Sequence, residues 1–159
     1  MGVKVEMNMA EIRAFLEREA EKHIHQVIAM LHYVGLEVVN QIRDSLISNW
    51  DDQTGNLRSS IGYIIALDGE PIEMSPFTKV DGPKRTPEDP NGSEIGKSYA
   101  QSLVSLYPNG IALIVVAGME YASYVEKKEN KTVLAQGKLV AQQLISQLIA
   151  KYETAKGGR

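Results

Sequence analysis

Ile111-Ala112-Leu113-Ile114-Val115-Val116-Ala117 decides the fold. The run has strand length and is apolar at odd and even positions alike, so a strand built from it is buried on both faces. That predicts a central strand. One face can take the chain's own helices. A single small domain has little left for the other, so a partner subunit is the expected cover. Upstream, Tyr107-Pro108-Asn109-Gly110 separates this run from Ser98 to Leu106. Proline followed by Asn-Gly between two apolar runs predicts a hairpin of two strands.

Earlier in the chain, Ile61 to Leu67 reads as another strand, and Asp68-Gly69 as the turn that ends it. Ile72 to Lys79 predicts a short edge strand broken by proline. Asp81 to Lys97 carries Pro83, Pro87, Pro90, Gly82, Gly92 and Gly96 and almost no apolar residue. This predicts a long loop, 81–97, without secondary structure, of the kind that orders against a neighbour.

Helical patterning flanks this β region. From Met9 to about Ser48, apolar residues from Ile12 through Phe15, Leu16, Ile24, Leu31 and Val38 to Leu46 recur at steps of mostly three and four. Asn8 can cap the start, with Glu11 at the position of a capping box. An unbroken helix here would be on the order of 60 Å long, and Gly35 is the expected bend. Asn49 to Asn56 reads as a turn. Tyr121 to Glu126 reads as a short helical turn and Lys127 to Lys131 as a charged link. Thr132 can cap a last helix to about Ala155, with a stripe of Leu134, Gly137, Ala141, Leu144, Ile145, Leu148 and Tyr152. The sum is one α+β domain over residues 1–159: a long N-terminal helix (about 9–48) and a C-terminal helix (about 132–155) on a small, mainly antiparallel sheet (about 57–117) with the long loop inserted.

Composition narrows the function classes. The chain has 159 residues, 43% of them hydrophobic, and a net charge of −3. That length suits one domain with a real core, and that charge supplies no basic field for a phosphate backbone. There is no cysteine, which excludes disulfides, thiolate metal sites and a cysteine nucleophile. Met1 to Asn8 lacks the apolar region of a signal peptide, and no apolar run approaches the roughly 20 residues of a membrane helix. A soluble protein made inside a cell is the expectation, and the absence of cysteine fits a reducing cytoplasm.

The chemistry-bearing residues do not converge. His25 and His32 are seven apart on one helix face, while His23 points elsewhere. Solvated helix-face histidines are therefore expected rather than a metal site. Asp51-Asp52 is adjacent in a turn, and most other acids lie in loops. No nucleophile elbow, P-loop or dinucleotide fingerprint is present. Lys84-Arg85 with Lys79 is the only basic knot, too small for useful DNA affinity unless a ring multiplies it. The chain reads as non-enzymatic, with no catalytic, cofactor or metal residues.

Two motifs carry a family likeness. Thr54-Gly55-Asn56-Leu57-Arg58-Ser59-Ser60-Ile61 leads into a strand, and Gly118-Met119-Glu120-Tyr121-Ala122-Ser123-Tyr124-Val125-Glu126 follows one. In this order, between a long N-terminal and a C-terminal helix, they resemble the head–tail joining (neck, or tail-completion) proteins of long-tailed phages and prophages. The chain departs from that pattern at Lys127-Lys128-Glu129-Asn130 and in its longer loop from Asp68 to Lys97. The resemblance implies a structural virion protein that forms a homo-oligomeric ring between the portal-side connector and the tail. It implies no cofactor, no membrane and no specific nucleic-acid binding, with a lumen through which DNA could pass. Localisation would be the virion, and the host cytoplasm during assembly. Gly55 would allow the sharp turn, Leu57 would enter the core, and Arg58 would point out to a neighbour's carboxylate. Thr54, Tyr121, Tyr124 and Glu126 complete the motif and interface candidates, and Lys79, Lys84 and Arg85 are the loop contacts. A tail terminator on a similar scaffold remains an alternative. So does a metal-dependent phage hydrolase or nuclease.

Overall fold

The computed structural model describes residues 8–44, 51–128 and 133–157. Helix α1 runs Met9–Arg43, and the short helix α2 spans Asn56–Ser59. Strands β1 (Ile61–Leu67) and β2 (Glu70–Met74) follow. Helix α3 (Gly92–Leu103) continues as a 3-10 turn, Val104–Leu106, and leads to β3 (Ile111–Ala117). Helices α4 (Ala122–Lys128) and α5 (Ala135–Gly157) end the described chain. The α+β architecture is the expected one: two long helices and a three-stranded antiparallel sheet of order β2-β1-β3.

The sheet centre is β1, not β3. Its residues Ile61 to Ala66 are all buried. Ile61, Tyr63 and Ile65 join the core under α1, while Ile64 and Ala66 join a second core with Phe77, Ala100 and Val104 of the α3 side. The alternation follows from the two-residue repeat of a strand. Strand β3 is covered on both faces, as its apolar run requires, yet it lies at an edge. Its Leu113 and Val115 pack toward α1 and α5, and its Ile114 and Val116 toward α3. The second cover is therefore the chain's own helix rather than a partner subunit.

That helix falls where a loop and a strand were expected. Residues 92–97 open α3 and residues 98–106 complete it, so no hairpin precedes β3. Asn109-Gly110 instead turns the chain from the 3-10 turn into β3, with Gly110 at φ 75°. The reason lies in Gly92, Gly96 and Ala100, spaced four apart on one buried face. A Cβ on Gly92 would stand 2.2 Å from the Asn56 carbonyl oxygen, and one on Gly96 2.4 Å from that of Ser60. The glycines let α3 press directly on backbone, which overrides their poor helix propensity.

The other elements match with shifts of a few residues. Asn8 caps α1, its Oδ1 accepting the Ala10 N–H at 3.0 Å. Helix α1 is 35 residues long, about 50 Å, and the part predicted for residues 45–48 lies outside the described residues, as does the Thr132 cap. Gly35 lies inside the continuous helix, where a Cβ would stand 2.8 Å from the Tyr63 ring, so it serves close packing. Strand β2 starts two residues before the predicted Ile72 and ends at Met74. Asp68 and Gly69, at φ 51° and 83°, make the tight hairpin turn between β1 and β2. Helix α5 runs antiparallel along α1: Gly137 sits against Ile42 and Val38, and the Tyr152 hydroxyl reaches His23 Nδ1 at 3.4 Å.

Candidate functional site

The two motifs meet in space. Asp52, in the turn before the first motif, accepts the backbone N–H of Gly55 at 2.9 Å and of Arg58 at 2.7 Å. This fixes Gly55 at φ 83°, with α2 starting immediately after it. From the second motif, Tyr121 lies just before α4 rather than within it, and its phenol engages the Thr54 side chain and the Leu57 backbone. Burial raises the phenol's pKa, the Asp52 and Asp89 carboxylates add to the rise, and the Thr54 and Leu57 contacts oppose it. The start of β1 and the exit from β3 are thereby tied together.

Several candidates turn out to hold the fold. Leu57 is buried in the core as expected. Arg58 is half-buried rather than outward, close enough to Arg43 that burial and this second guanidinium both lower the Arg43 pKa. Glu126 Oε1 accepts the N–H groups of Leu134 and Ala135 at 3.1 and 2.7 Å, so it caps the start of α5. Tyr124 is exposed. Of the basic knot, Arg85 turns inward: it donates to Asn56 Oδ1 at 2.5 Å and pairs with Asp81 at 2.9 Å. Lys79 and Lys84 remain exposed, Lys79 near Asp81 at 3.4 Å and Lys84 donating to Gln53 Oε1 at 3.1 Å. Lys84 and Arg85 thus bind the post-β2 loop to the first motif and the turn before it.

Among the described residues, no group of three or more His, Asp or Glu side chains is placed to share a metal ion. His32 is not merely solvated. Its Nδ1 stands 2.9 Å from the Tyr63 hydroxyl and 2.9 Å from Glu73, which ties α1 to β1 and β2. The sequence carried a hint of Asp52's role, because Asp three residues before Gly is a turn-forming pattern. Nothing in the spacing singled out Asn56 or the His32–Tyr63–Glu73 contact.

The outer edge of β3 lies between two apolar grooves. Seven residues without charge or proline stand there with no further strand beside them among the described residues. An apolar groove of about 650 Å³ opens on one side, between α1, β3 and α5. A second, of about 670 Å³, opens on the other, beside α3 and α4. Both include Val115, Glu126 and Leu134, so they flank one edge.

No family model matches the chain, and neither a curated protein nor a solved structure does. No helix among the described residues is long and apolar enough to cross a membrane.

Proposed function

We propose that this chain is a non-enzymatic assembly protein of a phage or prophage virion. It joins head and tail as a homo-oligomeric ring, with the portal-side connector and the tail as its neighbours, after synthesis in the host cytoplasm. The observation that carries this reading is the outer edge of β3, uncharged and free of proline, between two apolar grooves. Unpaired strand edges and contiguous apolar surface are covered by association in proteins that remain in solution. A contact between two different surfaces repeats around an axis and closes into a ring when its rotation permits. The resemblance of the two motifs to those of neck proteins supports a role at the head–tail joint.

The test is genetic and structural together. Disrupting the gene in its parent phage should leave filled heads and free tails, which the purified protein joins in vitro. Normal particles from the disrupted phage would sink the reading.

A further inference from the structure

Asparagine followed by glycine occurs twice in the chain, at Asn91-Gly92 and at Asn109-Gly110. This dipeptide is prone to deamidation, because glycine leaves the next backbone nitrogen unhindered. That nitrogen attacks the asparagine Cγ, and its proton passes to a solvent base. The Cγ–Nδ2 bond breaks, Nδ2 takes up a proton, and ammonia departs. Water then opens the cyclic imide to aspartate or isoaspartate. The step needs a nitrogen released from hydrogen bonding, room for the backbone to turn, and contact with water.

The two dipeptides differ in room and in contact with water. Gly92 opens α3 against the Asn56 carbonyl, where an added Cβ would stand 2.2 Å from the oxygen, and Asn91 Oδ1 is buried. Asn109 and Gly110 are exposed, and nothing lies within 4 Å of a Cβ built on Gly110. One restraint acts there. The Gly110 N–H donates to Asp68 Oδ1 at 2.7 Å, and the Asp68 N–H donates to the Gly110 carbonyl at 2.9 Å. This pair lies one step past Leu67 and Ile111, the last pair of the β1–β3 ladder. A carboxylate that accepts this N–H holds the proton on nitrogen and disfavours the amide anion that cyclises. We propose that Asn109 is a deamidation site and that Asp68 is its latch. Cyclisation proceeds from the state in which the Asp68–Gly110 bonds are open, while packing keeps Asn91 from reacting. The product carries a new carboxylate one residue from the amide that Asp68 holds, and isoaspartate also lengthens the backbone there. Both oppose reclosing of the turn that leads into β3. The inference is independent of the assembly reading.

The full chain is held in mildly alkaline buffer, and its tryptic peptides 98–127 and 86–97 are weighed at intervals. The first should gain the mass of an amide replaced by an acid, and the second should not. Equal rates at Asn109 and Asn91 in the unaltered chain would overturn the inference. Asp68→Gly removes the carboxylate, and glycine adopts the φ of 51° found at this position without strain. It should speed deamidation at Asn109 on the order of tenfold, and exchange of the Gly110 amide by a similar factor. Asp68→Asn keeps a neutral acceptor and should fall between the two; the Asn-Gly that it creates lies in a third peptide, 59–79. An unchanged or slower rate in Asp68→Gly, with Asn91 intact, would overturn the inference, since Asp68 would then be a bystander or a base that assists attack. Reaction of Asn91 in that variant would report unfolding, and Asp68→Asn would then decide by the same criterion.

Discussion

The two edges of the sheet are built from opposite materials. Strand β2 reads Glu70-Pro71-Ile72-Glu73-Met74. Pro71 removes a donor from the edge, two acids repel an incoming strand, and pairing skips Ile72 between Glu73 and Pro71 in a bulge. Beyond it the chain continues along the start of β1: Ser75 pairs with Tyr63, Val80 donates to Ser59 Oγ, and Gly82 donates to the Thr54 carbonyl. Strand β3 has none of these devices. One edge is guarded by charge, proline and a bulge, and the other, open among the described residues, is not. The difference teaches that the open edge is a feature of the sequence and not of sheets in general.

The strongest way to break this comparison is at the segment after β2. Gly55 sits at φ 83°, and a Cβ there would stand 2.0 Å from the Val80 carbonyl oxygen. Gly55→Ala should cost about 3–4 kcal/mol, read as a large fall in the denaturant midpoint. An unchanged melting curve would mean that this segment does not pack against Gly55. Next comes a matched pair of charges. Leu113→Lys on the open edge should weaken self-association about a hundredfold, or about 2.7 kcal/mol, by sedimentation. Ile72→Lys on the guarded edge should leave association unchanged, and equal effects would erase the distinction between the edges.

Smaller effects sharpen it. Glu126→Ala removes the cap of α5 beside the open edge and should cost about 1 kcal/mol by thermal melting. Weakest is the response to alkali. Burial raises the Tyr63 and Tyr121 phenol pKa values, the former with help from Glu73 and the latter from Asp52 and Asp89. The folded values then lie above the unfolded one, so this contribution is fully present below about pH 10 and is lost as pH rises through the folded values. Tyr121→Phe should flatten part of that alkaline loss, monitored by denaturant titration across pH, and an identical slope would contradict the burial of this phenol.

Much of the fold was legible because its signals were local. Asn8, the alternation-free strands Ile61–Leu67 and Ile111–Ala117, and the Asp68-Gly69 turn each act through nearest neighbours, and their bounds were found within a residue or two. Helix α3 was not legible. Its glycines look like loop punctuation in sequence, and their use as a contact face depends on Asn56 and Ser60, more than thirty residues away. The same blindness placed β3 at the centre. A strand covered on both faces reads alike whether it is central or at an edge, since the ladder partner leaves no mark on its own residues. The motif residues were found, but not their bonds within the chain: Glu126, an interface candidate, caps α5, and Arg85, a loop-contact candidate, donates to Asn56.

Amide hydrogen exchange at low and high protein concentration tests the central claim most directly. Residues 111–117 should exchange more slowly in the concentrated sample, while residues 70–74 exchange alike in both. Concentration-dependent protection confined to residues 70–74, or none anywhere, would contradict assembly through the open edge.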